Sequence, residues 1–220
     1  MTPKEEQLAK MYLYEGFGKC DICKECQKAA GETLNEPVGA FCVGEHFDEN
    51  AIRVLFVGKV ARGKYNGFNE GRRLWTEPWK FWYYTRCITN KVFGNESIEN
   101  IAITNIIQCN NSEGKDLTTK ETKDHCINEL RAIRKEIEII KPNKIVFYTV
   151  VNYDKYVPGI FDEFREGVNM EKDIGAKKMK WREAVGIIGG ESMNILRIGH
   201  PERMNKAAYV CEVSKWIKDM

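Results

Sequence analysis

Eight cysteines in 220 residues are the first group whose type and spacing could do chemistry. Three share one turn, Cys20-Asp21-Ile22-Cys23-Lys24-Glu25-Cys26, which holds two overlapping CxxC pairs. Cys109 and Cys126 follow far downstream, with sixteen residues between them. Two thiolates from the turn, joined by Cys109 and Cys126, would make a four-thiolate site able to hold zinc or an Fe–S cluster. Spacing alone chooses neither the metal nor which two of Cys20, Cys23 and Cys26 bind it. Cys42, Cys87 and Cys211 read as core or surface bystanders, because buried free thiols are common.

A second group consists of polar segments that follow apolar runs. They are Gly58-Lys59-Val60-Ala61-Arg62-Gly63, then Asn105 with Gln108-Cys109-Asn110-Asn111, then Gly199-His200-Pro201-Glu202-Arg203. Taken singly, each is an ordinary strand-to-helix turn, Asn105 is a turn cap and His200 a satisfied structural histidine. Together they place an amide, an imidazole and a lysine at the ends of three strands.

The elements that must position them are legible as hydrophobic patterns. Arg53 to Gly58, Ile101 to Ile107, Lys144 to Val151 and Asn194 to Gly199 are near-continuous apolar runs. Such runs suit strands buried on both faces of a parallel sheet. Helices are expected over Pro3 to Tyr14, Trp79 to Thr89, Thr119 to Ile140 and Arg203 to Ile217, the third with apolar residues at helical spacing and a stop at Lys141-Pro142. Strands alternating with helices give an α/β domain, with sites at the carboxyl ends of the strands. One domain is expected over 1–220, with the N-terminal helix and Cys-rich turn of 1–50 packed on the core.

Composition restrains the reading. Lys and Arg number 34 against 32 Asp and Glu, a net charge of +2, so any basic surface must be local. No run reaches the length of a membrane span, and Met1 to Ala9 carries no apolar core of a secretory signal. A cytoplasmic, reducing compartment is expected, where clustered cysteines favour metal over disulfides. Aromatic residues are abundant (10 Phe, 9 Tyr, 5 Trp) and crowd into Trp75 to Tyr84.

The ordered set of motifs resembles the uracil-DNA glycosylase superfamily, especially its iron–sulfur branches. It comprises an N-terminal CxxC, a strand ending in Val57-Gly58, Ile103-Thr104-Asn105-Ile106-Ile107-Gln108-Cys109, and Cys126 in a helix. Lys141-Pro142-Asn143-Lys144-Ile145-Val146 and a late His200-Pro201 complete it. The match runs from about Cys20 to Arg203. The resemblance implies an α/β/α sandwich with a central four-stranded parallel sheet. It also implies a structural [4Fe–4S] cluster on two turn cysteines with Cys109 and Cys126. Zinc is the alternative.

The resemblance also implies roles. A glycosylase takes its target base out of the stack to reach the glycosidic bond. Asn105 would read the edge of the flipped base, and His200 would donate to the anion developing on it. Phe68 is the best match for a stacking ring, with Gly58, Tyr65 and Glu70 as further substrate-contacting positions. Arg203 or Met204 would wedge into the duplex, and Lys206 and Arg62 would hold phosphates.

The first motif departs from the family. The iron–sulfur uracil enzymes read Gly-Glu-x-Pro-Gly, where the acid positions the attacking water. Here Lys59 replaces the acid and the proline is gone. Lys59 is therefore a candidate either for direct chemistry on the sugar or, preferably, for a phosphate contact. Glu70, Asn66 and Asn69 are nearby substitutes for the missing acid, and Arg62, Arg72 and Arg73 add donors. The loop to Phe68 is also short, which would open the pocket to bulk at C5 of a pyrimidine. The expected function is excision of uracil or, favoured by this motif, of a C5-modified cytosine such as phage DNA carries, an antiviral defence. DNA is the expected partner, with no obligate protein partner and a monomeric state. A non-catalytic binder of abasic or modified DNA is the alternative, and a zinc-bound α/β protein unrelated to DNA is the third reading.

Overall fold

The computed structural model describes residues 1–14, 21, 25, 34–37, 41–62, 70–111, 116, 118–150, 152–202 and 204–219. Helix α1 (Pro3–Tyr14) precedes two short strands, β1 (Leu34–Pro37) and β2 (Cys42–Val43). Strand β3 (Val54–Arg62) is followed by α2 (Glu70–Leu74), α3 (Lys80–Phe93) and β4 (Ala102–Asn111). Next come α4 (Lys120–Lys123), a π-helical turn (Asp124–Glu129), α5 (Ala132–Ile140) and β5 (Lys144–Val150). Strands β6 (Glu163–Ile174), β7 (Lys177–Ile188) and β8 (Glu191–Gly199) lead to α6 (Lys206–Lys218).

The four apolar runs all form strands, and they lie side by side in the order β4-β3-β5-β8, all parallel. The fold is α/β. The sheet does not stop at four strands, however. Among the described residues it has eight and is mixed, because β1 and β2 add antiparallel to β4, and β7 and β6 extend it antiparallel beyond β8. The extra strands escaped sequence reading for a physical reason. β6 is exposed along nearly its whole length and carries charges where a buried strand carries valines.

The pleat sends alternate residues of each central strand to opposite faces. Leu55, Val57, Ile145, Phe147 and Ile195 pack with Leu8 and Tyr12 of α1 and Ile133 and Ile137 of α5. Phe56, Val146, Tyr148 and Ile198 pack on the other face with Trp82 and Ile88 of α3 and Tyr209 and Val213 of α6. Burying both faces explains why these runs are apolar without alternation.

The helix expected over Thr119 to Ile140 is broken. Thr119 caps α4 by accepting the Thr122 amide at 3.1 Å, and the π turn then widens the spiral. Arg131 enters the left-handed region at φ 55°, and α5 starts afresh at Ala132. The wider turn keeps Cys126 and Ile127 both buried while Ile133 and Ile137 reach the sheet. Lys141, at φ 53°, closes α5 where the Lys-Pro pair predicted a stop.

Candidate active site at the carboxyl edge of the sheet

Gly58 and Asn105 face each other across the β3–β4 ladder. The Asn105 side chain lies over the Gly58 backbone, so a Cβ there would come within 3.0 Å of Oδ1. Glycine is required here for close approach rather than for its dihedral freedom. Phe81 of α3 closes the other side, its Cε2 3.4 Å from the same Cβ position. The Phe81 ring stacks against His200 with centroids 6.3 Å apart and planes 19° from parallel. It meets Tyr148 edge-on at 5.4 Å. Gly58, Asn105, Phe81 and His200 therefore line one patch on the α3/α6 face of the sheet.

The His200 loop is held from several sides. Tyr209 donates to the Gly199 carbonyl at 3.0 Å, and Tyr84 donates to the Met204 carbonyl at 2.9 Å. Burial holds both phenols above their ordinary pKa, so they stay hydrogen-bond donors. Lys206 Nζ donates to Tyr83 Oη at 2.7 Å. The Glu202 amide donates to Nδ1 of His200 at 3.3 Å, which assigns the proton of the neutral ring to Nε2. A histidine in that tautomer presents an N–H beside the Phe81 ring.

Beneath Asn105 runs a buried polar chain. Gln108 Nε2 donates to the Asn105 carbonyl at 2.6 Å and to Thr104 Oγ1 at 2.7 Å. The Thr104 and Tyr12 hydroxyls both donate to the Glu136 carboxyl group. Glu136 is fully buried, and burial raises its pKa well above the usual carboxyl value. The chain ties α1 and α5 to the strand that carries Asn105.

The sequence-derived site is thus assembled in part. Asn105, Gly58 and His200 converge. Lys59 is half-buried and follows Gly58 in β3. Arg62 closes β3 and Glu70 opens α2. Met204 is half-buried and Lys206 exposed, both beside α3. Tyr65, Phe68, Asn66, Asn69 and Arg203 lie outside the described residues. Arg72, expected to add a donor at the pocket, does not: it bonds the Glu5 and Glu99 carboxylates and the Val43 carbonyl.

Of the proposed cluster ligands, Cys126 is buried in the π turn. Cys109 belongs to β4 opposite Pro37. Cys20, Cys23 and Cys26 lie outside the described residues. Among the described residues, no group of three or more His, Cys, Asp or Glu is arranged to hold a metal. Cys42 lies in the core, fully buried, with its thiol pKa pushed up by that burial.

Sequence reasoning missed Phe81, Tyr84, Gln108 and Glu136. The aromatic run Trp75 to Tyr84 was the available signal, and it divides cleanly. Trp75, Trp82 and Tyr84 are buried, Phe81 faces the site, and Trp79 and Tyr83 are exposed. No helix among the described residues is long and apolar enough to cross a membrane. No protein-family model and no curated protein matches this chain.

Proposed function

We propose that this protein is a DNA glycosylase that flips a non-canonical base out of the duplex and hydrolyses its glycosidic bond, leaving an abasic site. The observation that carries the reading is the convergence of Asn105, Phe81 and the Nε2–H of His200 on one patch at the carboxyl edge of the sheet. An amide can read a base edge in two directions, donor and acceptor. A flat ring beside it offers a stacking surface. As the bond from C1′ to the base breaks, water adds to C1′ and negative charge moves onto the departing base. His200 Nε2–H is the donor that stabilises that charge.

The resemblance to the uracil-DNA glycosylase superfamily supports the same assignment, with the α/β/α sandwich as the fold. It implies a [4Fe–4S] cluster, with zinc as the alternative, that would stabilise the loops facing DNA. The favoured substrate is a C5-modified cytosine. Lys59 stands where the uracil enzymes carry an acid, and the segment after it is short.

The test is release of bases from a panel of DNAs by anaerobically prepared protein, read by mass spectrometry and by alkali-labile strand breaks. Release of C5-modified cytosine with plain duplex spared is the expected result. Equal activity on a plain uracil oligonucleotide would overturn the specialised substrate. The replaced motif-one acid favours one second reading, a non-catalytic binder of abasic or modified DNA. That protein would shift the DNA without producing alkali-labile sites.

A further inference from the structure

A second cluster of charge lies on the opposite face of the sheet. A cleft of about 330 Å³ opens between the turn after β5 and the β6–β7 hairpin. It is lined by Asp154, Lys155, Glu166, Lys180, Arg182 and Arg197. Arg197 pairs with Phe147 in the ladder, and the pleat puts both on the α1/α5 face, away from His200.

The arginines are placed at some cost. The Arg197 side chain is only 3% exposed, and an isolated buried guanidinium is strongly disfavoured. Arg182 and Arg197 both donate to the same oxygen, Asp154 Oδ2, and Arg197 donates as well to Glu166. Two guanidinium groups thus share one buried carboxylate. Asp154 Oδ1 and the Nε atoms of both arginines are buried without a hydrogen-bond partner among the described residues. Lys155 and Lys180 stand exposed at the rim. Four cations face two carboxylates, which leaves a surplus of two positive charges in a concave site.

We propose that this cleft is a phosphate-binding site. A phosphate dianion matches the surplus charge, and paired guanidinium groups are the preferred partners for its oxygens. Asp154 holds the arginine planes together, and Lys155 and Lys180 draw the anion in. The phosphate would come either from a small phosphorylated molecule or from a DNA strand.

The experiment uses the full chain. Its melting temperature is followed with inorganic phosphate and with chloride at matched ionic strength. Phosphate should raise the melting temperature saturably where chloride does not. The Lys155→Ala/Lys180→Ala double variant should weaken the apparent phosphate affinity at least tenfold and melt as wild type in chloride. Competition by adenosine monophosphate, with DNA affinity unchanged in the double variant, identifies a small ligand. A matching loss of affinity for a short 5′-phosphorylated oligonucleotide identifies DNA. A phosphate response equal to that of chloride, or one unchanged in the double variant, overturns the site.

Discussion

Gly58→Ala tests the candidate active site most directly, because it perturbs the geometry without removing a functional group. The new Cβ would lie within 3.0 Å of Asn105 Oδ1, so the amide must retreat roughly an ångström to reach ordinary contact. The backbone cannot yield instead, since Gly58 and Asn105 are locked as ladder partners between two core strands. Phe81, at 3.4 Å, leaves little space on the other side. The Asn105 side chain is the softest neighbour and will swing away. Its swing spares the core, so stability should fall by about 1 kcal/mol or less, the low end for overpacking. Displacing a base-reading group by an ångström costs about 10²-fold in rate. The assay is single-turnover base release on the preferred substrate, beside thermal melting. Gly58→Ala should add nothing further to an Asn105→Ala background, because both changes act through one amide. Full activity in Gly58→Ala, or losses that add in the double variant, would refute the reasoning.

Four further outcomes are expected. His200→Ala should slow base release about 10²- to 10³-fold while DNA affinity, measured by anisotropy, changes little. Phe81→Leu keeps an apolar side chain but removes the stacking face, and should weaken recognition of the flipped base about tenfold, within the range of base–aromatic stacking. Lys206→Ala should lower the slope of log affinity against log salt by about 1, provided the exposed ammonium meets a DNA phosphate. Glu136 has a raised pKa, so its contribution to stability is complete below the ordinary carboxyl pKa of 4.5 and is lost as pH rises above it. Melting curves of wild type should therefore decline from pH 5 to pH 8 more steeply than those of Glu136→Gln, and parallel curves would remove Glu136 from the explanation.

The central strands were legible because burial on both faces leaves no choice of residue. Leu55 to Val57 and Ile145 to Tyr148 can only be interior. Asn105 and His200 were legible as polar residues breaking apolar runs at strand ends. Phe81 was not, since a phenylalanine among seven other aromatic or charged residues of the Trp75 to Tyr84 run carries no mark of which ring faces a ligand. Glu136 was hidden for a different reason. An acid in a helix reads as solvent-facing, and only the tertiary meeting with Tyr12 and Thr104 makes it a buried hydrogen-bond partner. The β7–β8 hairpin did leave a sign. Gly189-Gly190, with φ of 58° and 85°, is a two-residue turn between alternating segments, the pattern that joins antiparallel strands.

That hairpin bears on the order in which the chain assembles. β6, β7 and β8 form a meander joined by two-residue turns at Gly175-Ala176 and Gly189-Gly190, so their pairings are short in sequence. The parallel pairings of β3 with β4 and of β5 with β8 must instead close loops of about forty residues or more. Contacts near in sequence form first, and long closures limit the rate. The meander can thus stand early and offer the edge of β8 as a template for β5. β8 belongs to that early unit and both carries Arg197 and leads directly into His200, so each site gains its first residue before the rest of the sheet closes.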